Sequence, residues 1–220
     1  MSQSEISDRD SYADQRFSMV ENQLRRRGID DERVLNAMLR VPRHEFVPEA
    51  HRAQAYEDHP IPIGEEQTIS QPFIVAASLK ALALKGSESV LEVGTGSGYQ
   101  TALLALLAKN VYSVERHASL AHAAERAMIR LGFANVQIAV GDGSQGWREH
   151  APYDAVLVSA AAPSIPQSLL DQLSDFGEMV IPVGPAHSQQ LQLIRKFDGW
   201  YEIEILEGCR FVPLVGAEGY

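Results

Sequence analysis

From Ser89 to Val183 the chain alternates short apolar runs with amphipathic ones, and this alternation constrains the fold more than any other feature. Residues 89–93, 111–115, 136–140, 155–159 and 179–183 read as buried strands, rich in Val, Ile and Leu. Between them, helical spacing runs from a glycine turn through 108, over 119–131 and over 166–173. Strands that alternate with helices in this way imply a parallel sheet covered on both faces. The tail QQLQLIRKFDGWYEIEIL reads as two strands around Asp198-Gly199, a hairpin signal, so an antiparallel pair closes a mostly parallel sheet.

The first third of the chain is of a different kind. Phe17, Val20 and Leu24 suit one amphipathic helix. Asp30 or Asp31 suits the cap of a second, with Val34, Leu35, Met38 and Leu39 on one face and Pro42 ending it. Residues 43–72 contain Pro48, Pro60, Pro62, Gly64 and Pro72 and show no sustained periodicity, so they read as an irregular segment. Its large apolar residues, Phe46, Tyr56, Ile61 and Ile69 among them, argue that it is ordered. A helix is expected over 74–84, ended near Gly86. The expected organisation is a flexible stretch at 1–15 and one domain over 16–220, with a helical and loop region at 16–85 and an α/β core at 86–220.

The chain has 220 residues, 45% of them hydrophobic, enough for a sizeable core. Its formal charge of −10 argues against a general nucleic-acid binder, which needs concentrated Lys and Arg. The one basic cluster, Arg25-Arg26-Arg27, suits a solvated helix end. No apolar run reaches the ~20 residues of a membrane-spanning helix. The polar start MSQSEISDRD reads as no secretory signal, and Cys209 is a lone cysteine; both point to the cytoplasm.

The segment VLEVGTGSGYQ carries Gly94, Gly96 and Gly98 from a strand into a helix. A dinucleotide site wants G-x-G-x-x-G/A so that the helix N-terminus holds a pyrophosphate. Here Tyr99 stands where the third small residue belongs, which counts against NAD. Glu92, just before the turn, suits an ammonium group. Glu115 lies at the next strand end, about 20 residues on, where ribose hydroxyls are typically bound. Asp142, in Gly141-Asp142-Gly143, is placed to accept from an adenine amino group. Together these describe a site for an adenosyl ligand that carries an amino acid and no phosphate. The alternative is that such a turn only packs a helix against the sheet.

Three blocks carry a resemblance: FVPEAHRAQAYEDHPIPIGEEQTISQPFIVA, LEVGTGSGYQTALLA and GDGSQGWREHAPYDAVLVSAAAPSIPQSLLDQL. From about Phe17 to the C-terminus the chain resembles the protein-L-isoaspartate O-methyltransferase family. The resemblance implies a Rossmann-like S-adenosylmethionine-dependent methyltransferase fold with a mostly parallel sheet, antiparallel C-terminal strands and an N-terminal helical addition. It implies methyl transfer to the free carboxyl of L-isoaspartyl residues, and less efficiently of D-aspartyl residues, the ester then collapsing to a succinimide in repair. S-adenosylmethionine is the implied cofactor and S-adenosylhomocysteine its product. Isoaspartyl-containing proteins and peptides are the implied partners, with no nucleic acid, no membrane and a monomeric enzyme expected.

The site residues follow from the same resemblance. Ser70 takes the catalytic role; Phe73, Ile74, Val75, Ala76, Glu92, Gly94, Gly96, Gly98, Glu115, Arg116, Asp142 and Gly143 hold the cofactor. Gln67, Thr68, Ile69 and Val212 meet the substrate. The alternative for Ser70 is a helix cap before Pro72. The family usually has glycine just before the Gln-Thr pair, where this chain has Glu66; a positive φ there would strain a glutamate. No metal is expected: His44, His51 and His59 fit no common ligand spacing, and no H-E-x-x-H, C-x-x-C or G-x-S-x-G is present. Trp147 and Tyr153 are expected to pack around the Asp142 loop, and Cys209 to be a buried, unreactive thiol. A relative acting on ordinary aspartate, an NAD-dependent oxidoreductase and a non-catalytic adenosyl-ligand binder are the competing readings.

Overall fold

The computed structural model describes residues 12–220. The stretch expected to be flexible falls outside these residues except at 12–15. Those four are helical, with Tyr12 stacked on the His44 ring at 4.1 Å between centroids. Helix α1, described over 12–18, runs on through a π-turn at Met19–Leu24 and a 3-10 turn at Arg25–Arg27 that Gly28 closes. Helix α2, Glu32–Arg40, is capped by Asp31, whose side chain accepts from the N–H groups of Arg33 and Val34.

The segment read as irregular is ordered and contains a hairpin that its sequence conceals. After 3-10 turns at Arg43–Phe46 and Glu49–Gln54, strand β1 (Ile61–Gly64) pairs antiparallel with β2 (Gln67–Ile69). The connecting residues, Glu65 at φ 50° and Glu66 at φ 58°, are both left-handed, as a two-residue hairpin turn demands. The strain foreseen for a non-glycine residue at position 66 is therefore present. Glu65 is anchored, accepting from the Ser119 hydroxyl at 2.6 Å, with His117 Nδ1 3.7 Å from its other oxygen.

Helix α3 (Pro72–Ala81) leads into the main sheet: β3 (Ser89–Val93), α4 (Tyr99–Leu107), β4 (Asn110–Glu115), α5 (Ala118–Leu131), β5 (Val136–Val140), β6 (Tyr153–Val158), α6 (Gln167–Gln172), β7 (Leu173–Val183), β8 (Gln189–Phe197) and β9 (Trp200–Cys209). The strand order is β5-β4-β3-β6-β7-β8-β9; pairs from β5 to β7 are parallel, and β7-β8-β9 is antiparallel. The expected mostly parallel sheet with an antiparallel C-terminal pair is thus present. Strand β7 begins at Leu173, where helix α6 was expected to continue, so it is longer than its apolar run indicates.

Successive residues of a buried strand face opposite layers. Val90, Ala155, Leu157 and Val180 join one core with α2, α3 and α4. Leu91, Val156, Val158, Met179 and Ile181 join the other with α6 and Tyr153. From β3 the chain winds outward to β4 and β5, then returns to place β6 on the other side of β3. That reversal leaves a crevice beyond the strands' carboxyl ends, the place where open α/β sheets bind ligands. No helix among the described residues is long and apolar enough to cross a membrane.

Candidate active site

Two adjoining cavities open at this reversal. The inner one is lined by the glycine turn, Glu115, Arg116, Gly143, Val75, the β2 strand and Ser70, and by residues 212–215. The outer one is lined by Pro60, Gln71, Ile74, His187, Arg210 and Phe211. Thr68, Ser70, Ser159 and Val212 line both, so they stand where the cavities meet.

The glycine turn is shaped for close approach, and the N–H groups of its three glycines are already engaged. Gly96 (φ +55°) donates to Glu115 Oε2 at 2.9 Å, Gly94 to the Val114 carbonyl and Gly98 to the Thr95 carbonyl. A carboxylate thus occupies the Gly96 N–H that a pyrophosphate would otherwise take, which counts against the dinucleotide mode on this turn. Glu115 also accepts from His117 N–H at 2.9 Å, and its buried carboxylate forms part of the cleft wall. An acidic wall with the glycine amides engaged fits a ligand that is cationic and rich in hydroxyls, as an adenosyl sulfonium is. A Cβ on Gly96 would stand 3.4 Å from Ile63, so the β1–β2 hairpin lies directly against the turn.

Several expected cofactor residues lie outside the lining of the inner cavity. Glu92 is fully buried and does not line the cleft. Two positions after Val90, it faces α4, where it accepts from Thr101 Oγ1 and Ser113 Oγ at 2.6 Å each and from Gln100 Nε2 at 3.2 Å. Burial pushes its carboxyl up to about 7 against these hydrogen bonds. Gly98 faces α5: a Cβ there would meet Ala124 at 3.0 Å, so the glycine serves helix packing. Ala76 is buried in the core, and Phe73 lies beneath the Arg27 guanidinium, 3.4 Å from its ring centre. Ile74 reaches the outer cavity instead of the inner one.

Asp142 likewise stands behind the wall. Its Oδ1 accepts from Ser144 N–H at 2.9 Å and Ser144 Oγ at 2.7 Å, and its Oδ2 from Ala217 N–H at 2.8 Å. Burial opposes its ionisation, but these bonds outweigh it and hold the carboxyl below the usual range. Asp142 therefore caps the turn at Gly143–Gln145 and ties down the C-terminal segment, while Gly143 lines the cleft.

Of the residues expected on the substrate side, Gln67, Thr68, Ile69 and Val212 all line the inner cavity, and Thr68 and Val212 line the outer one as well. Val212 is placed by its carbonyl, which accepts from Ala161 N–H at 2.8 Å, while Leu214 N–H donates back to Ala161. Ser70 is not the cap of α3. The helix takes its side-chain cap from Asp58, whose Oδ1 accepts from Phe73 N–H at 3.0 Å and whose Oδ2 pairs with Arg27 at 2.5 Å. The Ser70 hydroxyl has no partner among the described residues, whereas its carbonyl accepts from buried Arg43 Nη2 at 2.7 Å.

Sequence reasoning missed Thr95, Ser97, Gln100, Ser159, Pro213 and Leu214, which also line the inner cavity. Ser159 alone had a usable signal, since it ends a strand at the sheet's reversal. His44, half-buried, is a packing residue that bonds the Tyr56 hydroxyl at 2.7 Å. Tyr153 is buried as expected and donates to the Trp147 carbonyl at 2.5 Å. Cys209, expected to be buried, is half-buried at the end of β9 and lines the outer cavity, its thiol pushed up to about 11 by that partial burial.

A Rossmann-like sheet with this glycine turn, an acidic cleft wall and a second cavity at its mouth is the architecture of an S-adenosylmethionine-dependent methyltransferase. The sequence profile of the protein-L-isoaspartate(D-aspartate) O-methyltransferase family matches residues 15–219. The chain belongs to that family. It is 54% identical over 214 residues to the protein-L-isoaspartate O-methyltransferase of Syntrophus aciditrophicus, covering 96% of this chain and 98% of that one. With the Geobacter metallireducens enzyme of the same name it shares 53% over 206 residues, 93% of this chain and 95% of the other. A crystal structure of a Plasmodium falciparum protein of this family, in complex with S-adenosyl-L-homocysteine, superposes with a TM-score of 0.80 at 32% identity. That match covers 91% of this chain and 98% of the other.

Proposed function

We propose that this chain methylates the free α-carboxyl of L-isoaspartyl residues in damaged proteins, and less efficiently the side chain of D-aspartyl residues, as the first step of repair. The observation that carries this reading is the unpartnered Ser70 hydroxyl where the two cavities join. The inner cavity takes the cofactor, with Glu115 toward ribose hydroxyls and Gly94, Gly96, Gly143 and Val75 along its length. The outer cavity takes the peptide around the isoaspartate, between β2 and Val212.

S-adenosylmethionine, when bound, supplies a methyl group already activated by its sulfonium. The acceptor is a carboxylate ionised at neutral pH, so no residue needs to remove a proton. The chain's part is to hold a carboxylate oxygen in line with the methyl carbon and to exclude water. Ser70 donates its hydroxyl hydrogen bond to the acceptor and fixes its direction. Residues 16–220 act as one methyltransferase domain, working as a monomer in the cytoplasm without nucleic acid or membrane.

The test compares two peptides identical except for L-isoaspartate or L-aspartate at one position, using labelled S-adenosylmethionine. Base-labile methyl incorporation into the isoaspartyl peptide alone is the expected result. Equal labelling of both peptides, or of neither, overturns the reading.

A further inference from the structure

Ser159 stands at the carboxyl end of β6, against the glycine turn: a Cβ on Gly94 would lie 3.4 Å from Ser159 Cβ. It is one of the residues that line both cavities, together with Ser70. Its N–H donates to the Val93 carbonyl at 2.8 Å, so its main chain is fixed to the central strand β3.

The direction of its hydroxyl is set from behind. Gln100 Nε2 donates to Ser159 Oγ at 2.6 Å and to Glu92 Oε1 at 3.2 Å. Above about pH 7, where Glu92 is ionised, its Oε1 only accepts, so the amide turns its NH2 group, and not its carbonyl, toward both partners. Ser113 and Thr101 hold the other oxygen of Glu92, and Ser113 is itself 2.6 Å from Thr95 Oγ1. The buried acid thereby fixes the amide, and the amide occupies a lone pair of the serine oxygen. The Ser159 proton has no acceptor among the described residues and is left to point into the space shared with Ser70.

Granted the isoaspartyl acceptor proposed above, we infer that Ser159 is a second substrate-binding hydroxyl, donating to the acceptor carboxylate beside Ser70. A carboxylate has two oxygens, of which one must attack. Two hydroxyl donors from different elements, the β2–α3 loop and the end of β6, fix its plane where a single donor leaves it free to rotate. The buried Glu92–Gln100 pair then orients a substrate donor, which accounts for an acid behind the cofactor wall that touches no ligand space.

The experiment uses the full chain carrying Ser159→Ala or Ser159→Thr. It reads the dissociation constant for S-adenosylmethionine by calorimetry and kcat/KM for an isoaspartyl peptide. Loss of one hydrogen bond to a charged group is expected to lower kcat/KM roughly 10-fold to 100-fold in Ser159→Ala. Cofactor affinity is expected to stay within about twofold, and Ser159→Thr, which restores the hydroxyl, to recover most of the activity. Thermal unfolding of each variant separates this effect from misfolding. Unchanged kcat/KM in Ser159→Ala overturns the inference, as does a loss of cofactor affinity that matches the loss of kcat/KM. A wild-type chain that binds the cofactor but leaves the isoaspartyl peptide unlabelled overturns both this role and the function proposed above.

Discussion

The guanidinium of Arg43, with no solvent exposure, donates from Nη2 to the main-chain carbonyl of Ser70 at 2.7 Å and from Nε to that of Ala55 at 2.7 Å. It also stands over the Tyr99 ring, 4.9 Å from its centre. Burial pulls its pKa down to about 10, so it remains a cation at neutral pH. A lysine cannot bridge both carbonyls, and each one left unpaired in the interior costs about 1–3 kcal/mol. Arg43→Lys is therefore expected to lose roughly 2–5 kcal/mol in urea unfolding, and also turnover at temperatures where the variant stays folded. Full turnover in a destabilised variant would show that Ser70 does not depend on this anchor.

Ser70→Ala separates the site role from a capping role. Loss of a helix cap costs about 1 kcal/mol, but Asp58 caps α3 here. Unfolding free energy is expected to change by less than about 0.5 kcal/mol, as for a substitution away from any cap or core contact. Turnover is expected to fall roughly 10-fold or more, the effect of one hydrogen bond to a charged acceptor. Calorimetry with S-adenosylmethionine is expected to give unchanged affinity.

The hairpin turn offers a stability test with a known sign. A non-glycine residue in the left-handed region costs about 1 kcal/mol or more. Glu66, at φ 58°, has among the described residues no side-chain bond of the kind that Glu65 makes with Ser119. Glu66→Gly is expected to raise Tm by about 2–4 °C and Glu66→Val to lower it. A lower Tm in the glycine variant would mean that the turn is not strained.

Glu92 gives the folded state a pH dependence. Its pKa is raised from 4.5 to about 7 by burial, so between those values the folded chain holds more protons than the unfolded one. Its contribution to stability therefore declines as pH rises from about 4.5 to about 7 and is constant above, by at most about 3 kcal/mol. Urea unfolding at several pH values is expected to show a shallower decline across that window in Glu92→Gln than in wild type. Parallel pH profiles would assign the dependence to other groups.

Asp142→Ala is expected to loosen the C-terminal segment as well as the Gly143 turn, because the carboxylate bonds Ser144 and Ala217 together. Limited proteolysis near residue 217 is expected to speed up, with weaker cofactor binding as a consequence. Weaker binding with unchanged proteolysis would instead indicate a direct cofactor contact.

The order of strands and helices from 89 to 209 was legible because period-2 and period-3.6 apolar patterns are local. The β1–β2 hairpin was not. Its turn carries Glu65-Glu66 where Asn-Gly or Asp-Gly would announce it, and Glu65 is held by a tertiary contact to Ser119 of α5. Among the acids, the strand-end position marked Glu92 and Glu115 alike. Strand register separates them: Glu92 lies opposite Ser113 within the sheet, whereas Glu115 ends β4 two residues farther on, at the cleft.

The sequence by itself determined the class of fold, the glycine turn with its poor fit to a pyrophosphate, and the family, since all three reside in short contiguous runs. Only the tertiary structure decided what each polar side chain does. Asp58 caps α3 from 15 residues away, Asp142 holds Ala217 across 75, and Gln100 aims Ser159 across 59. Such pairs have no spacing of their own. They arise because a buried polar group must find a partner wherever packing brings one, and packing is a property of the whole chain.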